Sequence, residues 1–231
     1  MERAKPQAKV SLVRRLLGIL DPAEPGFFRR IIGCLGILVL LVLCGGLVVL
    51  ARLSRTPTGR FWTGVVLLET GQDDAAVNVA RRLVSEHPGE DYDYYRLLAT
   101  ALRRTGQTAE QLGVLDEAVR TLPDDFSAHG HRCWYGALFG DAAAVLDSCD
   151  RAVELSDARR PNPIFWRAAA RVLAGDREGA IADFETVLAM WERSGHGNQE
   201  YRAAARRWLE TLRAGGNPLD EETLARVRKW F

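Results

Sequence analysis

The stretch ETGQDDAAVNVARRLVSEHP, residues 69–88, decides the fold, because three later stretches of the chain repeat its pattern. In each stretch a glycine follows an apolar run, glutamine or aspartate follows the glycine, and a second run with helical spacing begins. The glycines Gly71, Gly106, Gly140 and Gly175 recur at intervals of 35, 34 and 35 residues. The other stretches are RTGQTAEQLGVLDEAVRTLP (104–123), LFGDAAAVLDSCDRAVELSD (138–157) and LAGDREGAIADFETVLAMWE (173–192). Four occurrences in one register indicate a repeated structural unit.

Each unit has the features of two antiparallel helices joined by a tight turn. The glycine suits the left-handed position that ends one helix while the next begins. Small residues such as Gly64, Ala76 and Ala180 let two helices approach closely. One helix pair cannot bury its own apolar face, so we expect the units to stack in an array. The large apolar residues predicted to fill it are Trp62, Val66, Leu83, Leu98, Leu102, Leu115, Leu146, Phe184 and Leu188.

This pattern resembles the tetratricopeptide repeat, a helix-turn-helix unit of about 34 residues. Pro88 and Pro123 end the first two units, as in the family, whereas Asp157 and Glu192 stand at the ends of the last two. The resemblance implies an all-α fold, a right-handed helical solenoid. We expect about four repeats over residues 52–197 and capping helices over residues 198–231, which would hide the open end of the core.

The N-terminal part of the chain has the composition of a membrane anchor. Residues 31–51 carry no charge and are long enough for a helix to cross a hydrocarbon core of about 30 Å. Residues 1–30 are basic and are expected to include a short amphipathic helix, so that lipid would be contacted through residues 10–51. The excess of Lys and Arg before the span predicts a cytoplasmic N-terminus and an extracytoplasmic repeat domain.

Composition and motifs give no indication of an enzyme. The chain is 47% hydrophobic and 26% charged with a net charge of +1, which excludes a disordered chain and argues against a nucleic-acid partner. No phosphate loop, zinc-ligand spacing or nucleophile motif appears. His129 and His131 point to different faces of a helix, so the two side chains are poorly placed to bind the same metal ion. We therefore expect no catalytic residue, no metal and no cofactor.

Cys133 and Cys149 lie on the two helices of the third unit, at similar distances before and after Gly140. Antiparallel helices would bring them close to each other. We expect two buried thiols that act as small apolar side chains. A disulfide between them is the alternative, provided that their Cα atoms lie within about 7 Å.

Helical repeat arrays bind partners on the concave surface formed by the first helix of each unit. Arg96 and Arg103, one heptad apart, could hold a carboxylate or an acidic peptide, and the alternative is a solvated face. Members of the family that bind acidic chaperone tails use Lys and Asn where this chain has Phe61 and Val65. The resemblance therefore does not imply the carboxylate clamp of those proteins. The residues predicted to face the groove are Phe61, Val65, Arg96, Thr100, Arg103, Trp134 and Phe165.

Together these features predict a non-catalytic, membrane-anchored scaffold for protein–protein interaction. It would recruit a protein or peptide partner to the concave face or help to assemble a complex at the membrane surface. The alternative is a structural accessory subunit that binds integral membrane subunits through the helix over residues 31–51.

Overall fold

The computed structural model describes residues 56–156, 160–195 and 197–229, and every regular element in these ranges is helical. This confirms the all-α prediction. Residues 57–231 form one unit, and the other unit, residues 1–56, lies almost wholly outside the described ranges. The helices are α1 (Pro57–Glu69), α2 (Asp73–Glu86), α3 (Tyr92–Arg104), α4 (Thr108–Thr121), α5 (Phe126–Phe139), α6 (Leu146–Leu155), α7 (Pro161–Ala174), α8 (Arg177–Ser194), α9 (Gln199–Arg213) and α10 (Glu221–Val227), with a 3-10 turn at Ala143–Val145.

Side-chain caps fix where many of the helices begin. An Asp or Asn side chain accepts a hydrogen bond from a backbone N–H in the first turn and so satisfies one of the donors left free at a helix start. Asp91 and Asp125 do this for α3 and α5, the two helices that line the candidate site described below. Asp176, Asn198 and Asp220 do the same for α8, α9 and α10.

The repeat glycines join the two helices of each pair. Gly71, Gly106 and Gly175 have φ values of 74°, 76° and 84°, which confirms the predicted left-handed turn at three of the four positions. The prediction is wrong at Gly140, where φ is −126°. There the second helix of the pair starts with the 3-10 turn, which packs so closely on α5 that a Cβ at Gly136 would lie 2.6 Å from Cγ1 of Val145.

Successive helices pack against each other in chain order from α1 to α9. The first helices of neighbouring pairs also meet: α1 packs on α3, and α5 packs on α7. The contact between α1 and α3 needs Gly64, because a Cβ there would lie 2.6 Å from Cδ2 of Leu97. The buried residues form two clusters, one over α1–α4 that extends into the start of α5, and one from α5 to α10.

Most of the predicted core residues are buried, including Leu83 and Phe184; Leu146 and Leu188 are partly buried, and two others are exposed. Trp62 and Val66 are 60% and 58% exposed. Both lie on the outer face of α1, the first helix that the structure describes. No element within the described ranges covers that face.

The last helices fold back over the fourth helix pair. The ring of Phe165 in α7 stacks on Tyr201 of α9 at a centroid distance of 4.7 Å and on Trp208 of α9 at 5.6 Å. After α10, the Arg228 Nε donates to the carbonyl oxygen of Leu138 in α5 at 2.7 Å. The C-terminal helices therefore cover the aromatic face that α5 and α7 would otherwise present to solvent.

No helix within the described ranges is both long enough and apolar enough to cross a bilayer. The predicted membrane helix, residues 31–51, and the basic segment, residues 1–30, lie outside the described residues. The predicted localisation, a single-pass membrane protein with an extracytoplasmic repeat domain, is corrected by the absence of a possible membrane span among the described helices.

Candidate functional site

A cavity of about 280 Å³ lies between α3, α4 and α5. It lies between the first helices of the second and third pairs, whose backbones approach each other less closely than those of α1 and α3. We call it the α3–α5 groove. Its lining residues are Tyr92, Arg96, Ala99, Thr100, Arg103, Leu115, His131 and Tyr135.

Helical spacing explains why these side chains share one cavity. Tyr92, Arg96 and Arg103 stand at positions i, i+4 and i+11 of α3, which fall on one face of a helix. His131 and Tyr135 stand one turn apart on α5. Because caps fix the starts of both helices, the two faces meet in a defined register.

Stacked aromatic rings form one side of the groove. The His131 ring lies 5.4 Å from that of Tyr92 and 6.1 Å from that of Tyr135, with interplanar angles of 17° and 15°. Its Nδ1 donates a hydrogen bond to the carbonyl oxygen of Ser127 at 2.8 Å. Burial lowers the pKa of His131 despite that bond, so the ring is neutral near pH 7.

Two arginines give the groove its charge. Arg96 donates from Nε to Oδ1 of Asp93 at 2.9 Å, an ion pair that is about half exposed. Arg103 is hydrogen-bonded to the Tyr135 side chain. Burial raises the pKa of Tyr92 well above its ordinary value and also raises that of Tyr135, so both hydroxyls stay neutral. No carboxylate lines the groove in the described part of the chain, which leaves it cationic.

Two donors of the groove are buried and have no hydrogen-bond partner among the described residues. They are the hydroxyl of Tyr92 and the Nε of Arg103. Polar atoms in this state are uncommon in folded proteins, and each one calls for a cause such as strain, a functional role, or a water or ion that binds there. The arrangement is suited to an acceptor group that enters between the arginines and the rings.

The structure brings together three of the residues predicted for the groove and separates the others from them. Arg96, Thr100 and Arg103 line it. Phe61 and Val65 are half-buried on α1, where they pack against the first core cluster and do not line the cavity.

Trp134 and Phe165 are 1% and 0% exposed and belong to the second core cluster, which corrects their assignment to the groove. Tyr201 of α9 lies against both rings.

Sequence reasoning missed Tyr92, His131 and Tyr135. The sequence does contain a signal for His131 and Tyr135, because they lie on either side of Trp134 and are one turn apart on the same helix face. A register set from Trp134 alone selects the face of α5 that points into the core. Tyr92 is the first residue of α3, and only the position of its cap places it on the lining face.

The remaining candidate residues serve the fold. Cys133 and Cys149 form a disulfide that joins α5 to α6, with Cα atoms 4.8 Å apart, where we had expected thiols. His129 contacts the carbonyl oxygen of Pro123 through Nε2 at 2.9 Å, and its ring makes none of the stacking contacts of His131. Among the described residues no three His, Cys, Asp or Glu side chains are grouped to hold a metal ion.

Comparison with known proteins agrees with the helical architecture. A family model described as a bacterial transcriptional activator domain matches residues 62–132, from α1 into α5, which is less than half of the chain. No curated protein sequence matches the chain.

Solved structures with similar folds are helical repeat proteins. A thermophilic TPR protein of Thermus thermophilus has a TM-score of 0.53 and 21% identity over 73% of this chain and 93% of its own. MamA from Desulfovibrio magneticus RS-1 has a TM-score of 0.51 and 20% identity over 62% and 78% of the two chains. Another MamA protein has a TM-score of 0.52 and 15% identity over 77% and 96%. At these identities the likeness concerns the fold, and the described helices therefore have a tetratricopeptide-repeat-like fold.

Proposed function

We propose that the chain is a non-catalytic protein-interaction module that holds a segment of a partner protein in the α3–α5 groove. The observation that carries the proposal concerns the face formed by the first helices of the pairs, because its two halves differ. Over α5 and α7 that face is filled by the rings of α9, whereas between α3 and α5 it stays open and is lined by arginine and tyrosine. The fold of the solved neighbours supports this reading.

The size and chemistry of the groove favour a protein segment. The volume of about 280 Å³ is at the lower edge of the range of about 300–1,000 Å³ that is common for pockets that enclose small molecules. Such a cavity accommodates one or two side chains of a chain that continues along the surface. Arginine and tyrosine are also the residue types that most often dominate the binding energy of protein interfaces.

The groove has no arrangement that would favour catalysis. His131 is the candidate base, but its Nδ1 is held by the backbone carbonyl of Ser127. A triad needs a carboxylate or amide that orients the base toward a nucleophile, and the lining contains neither. The accessory-subunit alternative depends on residues 31–51, which lie outside the described residues, and we do not propose it.

Blocking the groove tests the proposal. Thr100 lines the cavity, and its Oγ1 donates to the carbonyl oxygen of Arg96 at 2.8 Å. We expect Thr100→Trp to fill the cavity and to abolish partner association, measured by affinity purification of the full chain from its source cells with quantitative mass spectrometry.

The matched control is Thr186→Trp on the exposed face of α8. Thr186 makes the same contact, from Oγ1 to the carbonyl oxygen of Ala182 at 2.8 Å, but lies on another helix pair. Proteins recovered with the control and lost with Thr100→Trp are partners of the groove. Recovery of the same proteins at the same ratio with both variants would show that the groove is not the binding site.

A further inference from the structure

The unsatisfied donors of the α3–α5 groove indicate what the partner must present. Tyr92 is only 6% exposed, and its hydroxyl has no acceptor among the described residues. The Nε of Arg103 is in the same state, although another part of its guanidinium is hydrogen-bonded to Tyr135. A buried donor without an acceptor costs free energy in the unbound protein. A ligand that supplies acceptor oxygens removes that cost.

The charge of the groove narrows the class of acceptor. Arg96 and Arg103 both line it, and Asp93, the carboxylate that pairs with Arg96, lies at the exposed rim. The lining has two cationic side chains, neutral tyrosines and a neutral histidine. A neutral amide or carbonyl would satisfy the donors but leave Arg103 without a carboxylate partner among the described residues, whereas a carboxylate satisfies the donors and compensates that charge.

We propose that the α3–α5 groove receives the carboxylate of an acidic side chain of the partner segment. The Tyr92 hydroxyl and the Arg103 Nε–H donate to its oxygens, and Arg96 is the outer cation. The stem of the acidic side chain packs against the rings of His131 and Tyr135. This inference rests on the proposed function and adds the chemical class of the group that anchors the partner.

Three short peptides test the chemistry directly on the full chain. They are acetyl-Ala-Glu-Ala-amide, acetyl-Ala-Gln-Ala-amide, and the glutamine peptide with a free C-terminal carboxylate. The readout is the Nε–H resonance of Arg103 in ¹H–¹⁵N spectra during titration. We expect the glutamate peptide to shift this resonance and to bind at least about tenfold more tightly than either glutamine peptide, as for a hydrogen-bonded charge.

Each other result overturns the inference. Equal affinity for the two blocked peptides would show that the groove does not recognise a carboxylate. Tighter binding of the peptide with the free terminus than of the glutamate peptide would assign the site to a chain terminus and not to an acidic side chain.

Two tyrosine variants locate the binding event. Tyr92→Phe removes only the unsatisfied hydroxyl, so we expect about tenfold weaker binding of the glutamate peptide and a melting temperature no lower than that of the natural chain. Tyr94→Phe is the matched control, because Tyr94 packs against Phe61 and His87 and does not line the groove. Unchanged peptide affinity in Tyr92→Phe would overturn the inference.

The two proposals can fail separately. If Thr100→Trp releases the partner while the peptides bind equally, the groove is the interaction site but its anchor is not a carboxylate. If the glutamate peptide binds selectively while Thr100→Trp retains every partner, the anion site exists but partner binding by the groove is refuted.

Discussion

Replacement of Asp183 by alanine should strongly destabilise the fourth helix pair. Asp183 is 4% exposed and accepts three hydrogen bonds from guanidinium groups. Arg167 donates to it from Nε at 2.9 Å and from Nη2 at 2.7 Å, and Arg171 donates from Nη1 at 2.9 Å. These bonds connect α7 to α8, so their loss leaves two partly buried cations without their main partner.

The magnitude follows from what the arginines retain. Removing one partner of a buried ion pair costs about 3–5 kcal/mol. Arg167 and Arg171 are 18% and 22% exposed and still have Asp150 at 2.8 and 3.6 Å, so we expect the lower end, about 3 kcal/mol. With about 2–4 °C per kcal/mol for a domain of this size, the melting temperature should fall by about 6–12 °C.

Urea denaturation followed by tryptophan fluorescence measures the loss, and buried Trp191 in α8 is one of the six tryptophans that contribute to the signal. Asp150→Ala is the control, because Asp150 is 49% exposed and its removal leaves Asp183 in place. We expect the control to lose less than about 1 kcal/mol. A loss of the same size in both variants, or a loss below about 1 kcal/mol in Asp183→Ala, would refute the reasoning.

Three further changes have defined outcomes. Gln111 is fully buried, and neither its side-chain nitrogen nor its side-chain oxygen has a hydrogen-bond partner among the described residues. Gln111→Leu should therefore raise the free energy of unfolding, measured by urea titration, by about 1 kcal/mol. The exposed control Gln107→Leu should change it little. Burial lowers the folded-state pKa of His131, so the free energy of unfolding should fall as the pH drops from the unfolded-state pKa of about 6.5 toward the lower folded-state pKa. Calorimetry at pH 7.5 and pH 5 should therefore show a smaller loss of stability at pH 5 in His131→Phe than in the natural chain. The Cys133–Cys149 disulfide closes a loop with a sequence separation of 16, so its reduction should lower the free energy of unfolding, measured by chemical denaturation, by about 3 kcal/mol. The stability of a Cys133→Ala, Cys149→Ala double variant should not change when reductant is added.

The helix pairs were predictable because their signals are local. A glycine after an apolar run ends a helix wherever φ can become positive, and this holds at Gly71, Gly106 and Gly175. Gly140 departs because the second helix of its pair begins with the 3-10 turn, whose Val145 packs on Gly136. A local difference in the sequence is Gly136, since the other three repeat glycines have no glycine four residues before them.

The site was predictable only where one helix face decides it. Arg96 and Arg103 follow from the spacing on α3, and the structure places both in the groove. Trp134 and Phe165 were assigned to the same groove because the repeat pattern cannot show that α9 returns to that surface. Both rings contact Tyr201, which lies on a helix outside the repeats.

If the α3–α5 groove binds a partner as proposed, the stacking of α9 on Phe165 also limits how much of that partner's sequence the protein can read. With α7 covered by α9, the first helices left for such a partner are α1, α3 and α5, which span two helix spacings of about 10 Å each. An extended chain advances about 3.3 Å per residue, so about six residues of a partner fit along it. Recognition would then depend on a short linear motif, which unrelated proteins can acquire with few substitutions.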